Sequence, residues 1–491
     1  MSSAQRLAVV LGTLTLCSAF AGCRSSPQPA QPTLTYSARA IRDDFATLYR
    51  TLQDSAYDLF IYTDKTVLDA EYERLLGTIT EPMSAHEVSR LFQSFVVMAR
   101  MSHCTIEFPI EAYRDWYRSG GRLLPFDIIF SGDRVLIAVD WSQTDGIDPG
   151  DELLAVRGMT IDELVEQLFR LIPGENDQAK RASLETGGLW SRYWYRFGDF
   201  EAGPIRIGKS DGRVVELEVS GISMDRYRAL SGSLDEPELM TDGRDFHFIG
   251  DIAYLRPGPF MNLSSNDLSE QETWDNTEFL AFLDSAFKHI ASRTPGNLIL
   301  DIRGNPGGSS SFSNPLIAYV ADRPFREASS LRIRTSQITK EFWRDVDVDD
   351  DPMIANLKHQ ILTREDGERW SMEMDPYPPR SDSLTFNGRV FALIDRFSYS
   401  NAAAVASILQ DYGFATLIGE ETSFNPSNCG AVHTFELPHT GIEVVYPKMC
   451  GVRPSGDAGP HGVIPDVEVT QDYFTEEDEI LQAALRFIRD S

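Results

Sequence analysis

Two apolar strands that each run directly into an unusual turn constrain the fold more than any other feature of the sequence. Asn297–Asp301 leads into the glycine pair Gly307–Gly308, and Arg389–Asp395 leads through serines into a small-residue helix that begins at Asn401. Short apolar runs of this kind are typical of strands buried on both faces of a sheet. Strands alternate with helical patterns over residues 245–490, which predicts an α/β domain.

Both turns carry groups that are suited to acyl-transfer chemistry. A glycine pair leaves its backbone N–H groups unshielded, and such donors can stabilise the oxyanion of a tetrahedral intermediate. The second turn places Ser400 at a helix N-terminus, where free N–H groups and the helix dipole favour developing negative charge. This strand–nucleophile–helix order is that of serine hydrolases, without their Gly-x-Ser-x-Gly motif. The alternatives are a plain glycine turn and, for Ser398 and Ser400, an ordinary helix N-cap.

Two further regions precede the α/β domain. Residues 36–115 have helical periodicity, and the apolar positions on one predicted face are Ile41, Phe45, Leu48 and Leu52. Residues 120–222 consist of short strands and turns, and Gly150–Gly158 reads Gly-Asp-Glu-Leu-Leu-Ala-Val-Arg-Gly. That pattern resembles a PDZ-like module, which implies a groove that adds an extended peptide to a sheet edge. The alternative is an inserted β-domain without a ligand.

The N-terminus predicts export and a lipid anchor. Arg6 precedes the apolar stretch Leu7–Gly22, which is too short for a transmembrane helix. The stretch ends Phe-Ala-Gly-Cys23, which resembles a bacterial lipoprotein signal (residues 1–22) with Cys23 as the lipidated residue. A Pro/Ser-rich tether follows over residues 23–35. We therefore expect a protein held in the cell envelope on its periplasmic or extracellular side; an ordinary cleaved signal peptide is the alternative.

The charge balance argues against nucleic-acid partners. The chain has 74 acidic and 45 basic residues and a formal net charge of -29, which repels phosphate backbones. Five aspartates cluster between residues 345 and 351, but the glycine and distal glutamate of an EF-hand loop are absent, so we interpret the cluster as a solvated loop. No Cys or His spacing predicts a metal site.

Three cysteines remain beyond Cys17 and Cys23. Cys429 and Cys450 flank the alternating segment Val432–Val445, which predicts a hairpin. In an oxidising compartment, a disulfide between them is the expected state.

Several motifs occur together in one order. The two turns are followed by Leu-Gln-Asp-Tyr-Gly413, Ile-Gly-Glu-Glu-Thr422 and Gly-Val-Ile-Pro-Asp466. The set resembles the C-terminal processing (tail-specific) proteases and their tricorn-like relatives. The resemblance implies a multidomain protein with an α/β (ClpP/crotonase-like) catalytic core over residues 245–490 and serine-type peptidase activity without a cofactor. It further implies that Ser400 is the nucleophile, that Gly307 and Gly308 form the oxyanion hole, and that Asp411 ends the nucleophile helix.

The general base is where the sequence departs from the Ser–Lys members of that family. Asn425 occupies the position of the dyad lysine, and an amide cannot accept the serine proton. His103, in Met-Ser-His-Cys-Thr105, occupies the position used by histidine-dependent relatives, although Ser102 replaces their glycine. An imidazole base predicts activity that falls below roughly pH 6 to 7. A capping or half-buried structural histidine is the alternative.

The third member of the site is less well defined. Asp457 is the carboxylate nearest to the position that orients the histidine in those relatives, and Glu420 and Glu421 are alternatives. His433 and His461 are the reserve bases. The sequence thus predicts a lipid-anchored serine endopeptidase acting on protein or peptide substrates and leaves its oligomeric state open. The competing hypothesis is an inactive peptide- or lipophile-binding protein on the same scaffold.

Overall fold

The computed structural model describes residues 35–186, 189–197, 203–231, 243–263, 270–346 and 352–490. The predicted signal peptide, Cys23 and the tether up to residue 34 lie outside these residues. Within the described ranges, no helix combines the length and apolar character needed to cross a bilayer.

The N-terminal region is built mainly from helices. Its elements are β1 (Thr35–Tyr36), α1 (Ala38–Ser55), α2 (Lys65–Thr78), β2 (Met83–Ser84), α3 (Ala85–Val96), a 3-10 turn (Val97–Ala99), β3 (Thr105–Ile106) and α4 (Ile110–Arg118). Ser84 and Glu87 form a reciprocal capping box that begins α3. The buried rings of Phe45, Phe92 and Phe95 pack together in its core. This core continues onto the α/β domain, because Thr105 and Ile106 of β3 pair with Val445 and Val444.

The second region is an antiparallel sheet with helices packed on it. Its elements are β4 (Phe126–Ser131), β5 (Arg134–Asp140), β6 (Glu152–Val156), β7 (Met159–Thr160), α5 (Ile161–Phe169), α6 (Asp177–Glu185), α7 (Leu189–Phe197), β8 (Pro204–Gly208), β9 (Val214–Glu218) and α8 (Met224–Leu230). The strand order is β4-β5-β6-β8-β9, with β7 paired to β6. Gly150 and Gly158, which bound the PDZ-like pattern, have φ angles of 89° and 80°. Both glycines therefore close turns that other residues would adopt only with strain.

The third region is the predicted α/β domain, and that fold class is confirmed. Its elements are β10 (Asp245–Ile249), β11 (Ile252–Arg256), α9 (Glu270–Thr273), α10 (Thr277–Arg293), β12 (Asn297–Asp301), α11 (Ser310–Ala318), β13 (Ser330–Arg334), α12 (Gln337–Asp345), α13 (Pro352–Thr363), β14 (Arg369–Met372), β15 (Arg389–Ile394), α14 (Asn401–Asp411), β16 (Thr416–Gly419), β17 (Cys429–Glu436), β18 (Glu443–Val452), β19 (Val467–Glu468) and α15 (Glu479–Asp490).

Two sheets organise this domain. The central sheet has the order β10-β11-β12-β15-β16-β19 and is parallel except for the β10–β11 pair. Helices α10, α11 and α14 bury one face of it, and α15 buries the other. The second sheet, β14-β13-β18-β17, contains the predicted hairpin, and a disulfide joins Cys429 and Cys450 where these residues pair across β17 and β18. Of the aspartate cluster, only Asp345 lies within the described residues.

Candidate active site

The parallel pairing of β12 and β15 brings the two unusual turns together. Leu300 pairs with Ala392 and Asp301 pairs with Leu393, so both strands end at the same edge of the central sheet. The carboxyl edge of a parallel α/β sheet is where such folds place their ligands. Loop contacts complete the junction, because the Tyr399 N–H donates to the Asn305 carbonyl at 2.9 Å.

Ser400 has a strained backbone, and among the described residues its hydroxyl has no hydrogen-bond partner. Its φ and ψ are 51° and -119°, an unfavourable conformation for a residue other than glycine. Although it occupies the N-cap position of α14, its hydroxyl forms no capping bond. Ser398 instead has a structural role. Its Oγ donates to the Ile302 carbonyl at 2.9 Å and accepts from Asp395 N at 3.1 Å. The motif therefore separates a structural serine from one whose hydroxyl is available for chemistry.

The glycine pair lies directly against Ser400. Gly307 and Gly308 have φ angles of 91° and 128°. A Cβ on Gly307 would approach Ser400 Cβ to 2.9 Å, and one on Gly308 would approach the Phe260 carbonyl to 2.2 Å, so neither position tolerates a side chain. The Gly307 N–H already donates to Asn305 Oδ1 at 2.8 Å. Among the described residues no acceptor engages the Gly308 N–H, which makes it the better oxyanion donor of the predicted pair.

The charged residues of the first motif have a structural role. Asp301 is fully buried and pairs with Arg303 at 2.7 Å and Arg256 at 3.3 Å, while Tyr254 Oη donates to it at 2.6 Å. Burial alone would raise the pKa of Asp301, but the two guanidinium groups outweigh this and lower the pKa to about 2. The cluster therefore fixes the end of β12, from which the glycine loop departs.

His103 is buried and has a defined tautomer. Its Nδ1 is 3.1 Å from the Cys429 carbonyl. Because a carbonyl can only accept, Nδ1 carries the proton and Nε2 is left with its lone pair. The ring packs edge-on against Phe424 at 5.4 Å, and Phe424 packs against Tyr399, the neighbour of Ser400, at 4.6 Å. Burial lowers the pKa of His103 to about 4, so the imidazole is neutral at physiological pH.

His103 is linked to the Ser400 turn through the ring of Phe424 and not by a direct hydrogen bond. Within the part of the chain that the structure describes, the hydrogen bond of the His103 ring is the one to Cys429, and none joins it to Ser400. Catalytic hydrogen bonds are often long before substrate binds and shorten in the complex.

The comparisons with known proteins agree with this geometry. Residues 275–469 match the family model described as peptidase family S41. Over these residues the chain is similar to the S41 peptidases. Members of this family are serine-type peptidases, and the matched range contains the glycine pair, Ser400 and the segment around Asn425. The resemblance to tail-specific proteases and the assignment as a serine-type peptidase are thereby confirmed.

Solved structures with this fold include mature CPAF. CPAF complexed with lactacystin is 16% identical, covers 92% of this chain and 97% of its own, and superposes with a TM-score of 0.62. A second structure of mature CPAF is also 16% identical, covers 88% of this chain and 92% of its own, and gives a TM-score of 0.57. At this identity the likeness shows a shared fold across all three regions.

Asp457, the predicted orienting carboxylate, has hydrogen-bond partners other than His103. Asp457 is exposed, and its Oδ2 lies 3.2 Å from His461 Nε2, while its Oδ1 accepts from Gly459 N at 2.9 Å. The partner of His103 Nδ1 is the Cys429 carbonyl instead. The structure therefore does not bring Asp457 to His103, and it pairs the reserve base His461 with that aspartate.

The remaining predicted residues have other partners. Glu420 binds Arg396 at 3.1 Å, and Glu421 Oε1 accepts from Gly462 N at 2.8 Å. Asp411 pairs with Arg453 at 2.6 Å, and this ion pair connects the end of α14 to the residue that follows β18. His433 packs on Phe342.

Neither Asn425 nor Lys448 takes the place of a catalytic lysine in the structure. Asn425 is buried; its Oδ1 accepts from Ser427 N at 2.8 Å, and its Nδ2 donates to the Gly459 carbonyl at 3.0 Å. It thus organises its own loop. Lys448 is buried on β18 with its Nζ 3.9 Å from the ring centre of Phe342. Burial lowers the pKa of Lys448 to about 7, but its ring contact lies on α12 rather than on the Ser400 turn.

Sequence reasoning missed Glu175, Glu185 and Arg396. All three are buried or largely buried and make ion pairs or hydrogen bonds between regions that are distant in sequence. In a single sequence, a charged residue next to a glycine or inside a short helix does not indicate that it will be buried or paired with a distant region. The only available clue was that Arg396 lies within the serine motif.

Proposed function

We propose that the protein is an extracytoplasmic serine endopeptidase that uses a Ser–His site. The single observation that carries the proposal is the pinned tautomer of His103, because the bond from Nδ1 to the Cys429 carbonyl leaves Nε2 basic. The ring of Phe424 connects His103 to Tyr399, the residue before the strained Ser400. The missing lysine at position 425 is consistent with a histidine base.

The proposed reaction passes through an acyl-enzyme. Ser400 Oγ attacks the scissile carbonyl carbon while its proton moves to His103 Nε2, and the Gly308 N–H stabilises the oxyanion. The C–N bond then breaks, and the amine leaves with the proton from His103. Water, deprotonated by the same imidazole, hydrolyses the ester and regenerates Ser400. The Cys429 carbonyl holds the ring orientation throughout, a task that a carboxylate performs in the Ser–His–Asp triad.

Hydrolysis by the purified full chain tests this proposal against the competing binding function. We expect a mixture of unfolded proteins to acquire new termini during incubation, and a fluorophosphonate to stop their appearance. Mass spectrometry of the termini measures both. The absence of an observed Ser400–His103 hydrogen bond is what favours the alternative of an inactive peptide- or lipophile-binding protein. Substrate retention on the immobilised protein with no new terminus over long incubation would establish that alternative.

We also propose that the protein is lipid-anchored through Cys23 in a bacterial cell envelope. The support is the sequence of the first 35 residues, with a short apolar stretch that ends at this cysteine and a Pro/Ser-rich tether. The Cys23→Ala variant should move from the membrane fraction to the soluble fraction, because only that thiol would carry the lipid. Cys104→Ala is the matched control and should stay with the membrane. A Cys23→Ala protein that remains membrane-bound would contradict the anchor.

A further inference from the structure

Helix α6 and the loop before it contact both turns that carry the proposed catalytic residues. The loop contains Glu175, which binds the segment just before His103, and the helix ends at Glu185, which binds the segment just before Ser400. Both glutamates are almost completely buried, with exposed fractions of 1% and 2%. Burial of a carboxyl group costs free energy unless its oxygens have hydrogen-bond or ionic partners. The contacts of these two glutamates are therefore needed to keep them buried.

Glu175 holds the His103 turn through two hydrogen bonds to one residue. Ser102 N donates to Glu175 Oε1 at 2.9 Å, and Ser102 Oγ donates to Glu175 Oε2. A third contact comes from Arg100, whose Nη2 donates to the Glu175 backbone carbonyl at 2.7 Å. The same carboxyl group lies close enough to Tyr399 to add to the effect of burial in raising the pKa of that phenol. Glu175 therefore binds the His103 turn and lies near Tyr399, the residue before Ser400.

Glu185 holds the nucleophile turn through Arg396, four residues before Ser400. Arg396 Nε donates to Glu185 Oε2 at 2.8 Å, and its Nη1 lies 3.1 Å from Glu420 Oε2. Glu185 Oε1 also accepts from Phe130 N at 2.7 Å, which fastens the pair to β4 of the PDZ-like module. An ion pair with this degree of burial fixes geometry, because each partner would be strongly penalised if it were left alone.

We propose that α6 acts as a strut that sets the position of the His103 turn relative to the Ser400 turn, with Glu175 and Glu185 as positioning residues. The inference rests on the proposed Ser–His function. A nine-residue helix is about 13 Å long, and it is a rigid spacer when both of its ends are anchored. Two further contacts support the placement, since Asn176 Nδ2 donates to the Pro460 carbonyl and Gln178 Nε2 to the Glu421 carbonyl, both at 2.9 Å.

The physical reason for such a strut is that the two catalytic residues come from different regions of the chain. His103 belongs to the N-terminal region and Ser400 to the α/β domain, so no single element holds them. Proton transfer requires the heavy atoms to approach to about 3 Å. A displacement on the order of 1 Å can reduce the rate about 100-fold. An element anchored to both turns limits that displacement.

Kinetics of four variants test the proposal. Glu175→Ala removes both acceptors, Glu175→Gln keeps one of them for Ser102 N, and Glu185→Gln weakens the pair with Arg396. Glu166→Gln is the matched control, because Glu166 is an exposed glutamate on α5 of the same module whose recorded contact is an ion pair with Arg170 at 2.8 Å. The measurements are kcat, KM, the rate of Ser400 labelling by a fluorophosphonate, and the Tm of each protein.

We expect kcat and the labelling rate to fall together, by about 10- to 100-fold for Glu175→Ala and less for both glutamine variants, with KM within about twofold of wild type. Glu175→Gln should therefore recover part of the activity that Glu175→Ala loses. Variants with a lower Tm but wild-type kcat and labelling would show a structural role only and overturn the inference. A wild-type protein that is never labelled would instead overturn the proposed function, on which the inference depends.

Discussion

Ser400→Ala should abolish peptide hydrolysis while the folded structure persists. The substitution removes one hydroxyl that makes no capping bond to α14, so stability has no direct reason to fall. Loss of the nucleophile in a serine peptidase reduces kcat on the order of 10⁴- to 10⁶-fold. The turnover number and the Tm of the purified variant measure the two effects separately. A variant with near-normal turnover would end the assignment of Ser400.

Ser398→Ala is the matched control within the same four-residue motif. Ser398 is fully buried, and its hydroxyl bridges Asp395 and the Ile302 carbonyl. Loss of these bonds leaves buried polar groups without a partner, at a cost of about 1–3 kcal/mol. We therefore expect the opposite pattern from Ser400→Ala, with a lower Tm and much of the turnover retained by the folded fraction.

His103→Ala should reduce turnover by several orders of magnitude with little change in KM, by analogy with the loss of a triad member. Lys448→Met is its control, because it removes the buried lysine whose pKa is lowered to about 7. That variant should retain its turnover, since Lys448 contacts Phe342 rather than the Ser400 turn. Normal activity in His103→Ala together with inactive Lys448→Met would show that the base is the lysine.

The pH profile distinguishes the buried His103 from an ordinary solvent-exposed histidine. Burial lowers its pKa to about 4, and the neutral form, which is the base, therefore persists well below pH 6. We expect kcat/KM to hold as pH falls through 6 to 7 and to decline only toward pH 4, lower than the sequence alone predicts. An acid limb centred at pH 6 to 7 would show that the imidazole is exposed in the active enzyme.

The same shift makes stability depend on pH. The unfolded chain protonates His103 near its ordinary value of 6.5, whereas the folded chain resists protonation until about pH 4. The buried, neutral His103 therefore contributes to the free energy of unfolding in full above pH 6.5. About 3 kcal/mol of this contribution is lost in total as pH falls toward 4. Activity measurements at low pH therefore need a parallel measurement of the folded fraction.

The sequence was most informative where one short segment determines its own structure. The strand Asn297–Asp301 with its glycine pair, and the strand Arg389–Asp395 with its helix, could both be predicted because apolar runs and glycines have local consequences. Their adjacency became evident from the parallel pairing of β12 and β15, since the carboxyl ends of parallel strands share one edge of the sheet. Ser400, Gly307 and Gly308 consequently lie together.

The contacts between regions could not be read from the sequence. The partner of His103 Nδ1 is a backbone carbonyl at Cys429, and every residue has a carbonyl, so residue identity carried no information about it. A search for a carboxylate led to Asp457, which instead lies beside His461. The ion pair of Glu185 with Arg396 joins residues 211 positions apart. Tertiary packing alone determines such pairs.

The site of covalent modification tests the central claim most directly. The purified protein is treated with a fluorophosphonate probe, digested, and analysed by mass spectrometry to locate the adduct. An activated serine paired with His103 predicts one dominant adduct on Ser400, formed slowly or not at all in His103→Ala and at the normal rate in Lys448→Met. An unmodified Ser400 in a protein that cleaves peptides, or labelling that is independent of His103, would contradict the Ser–His assignment.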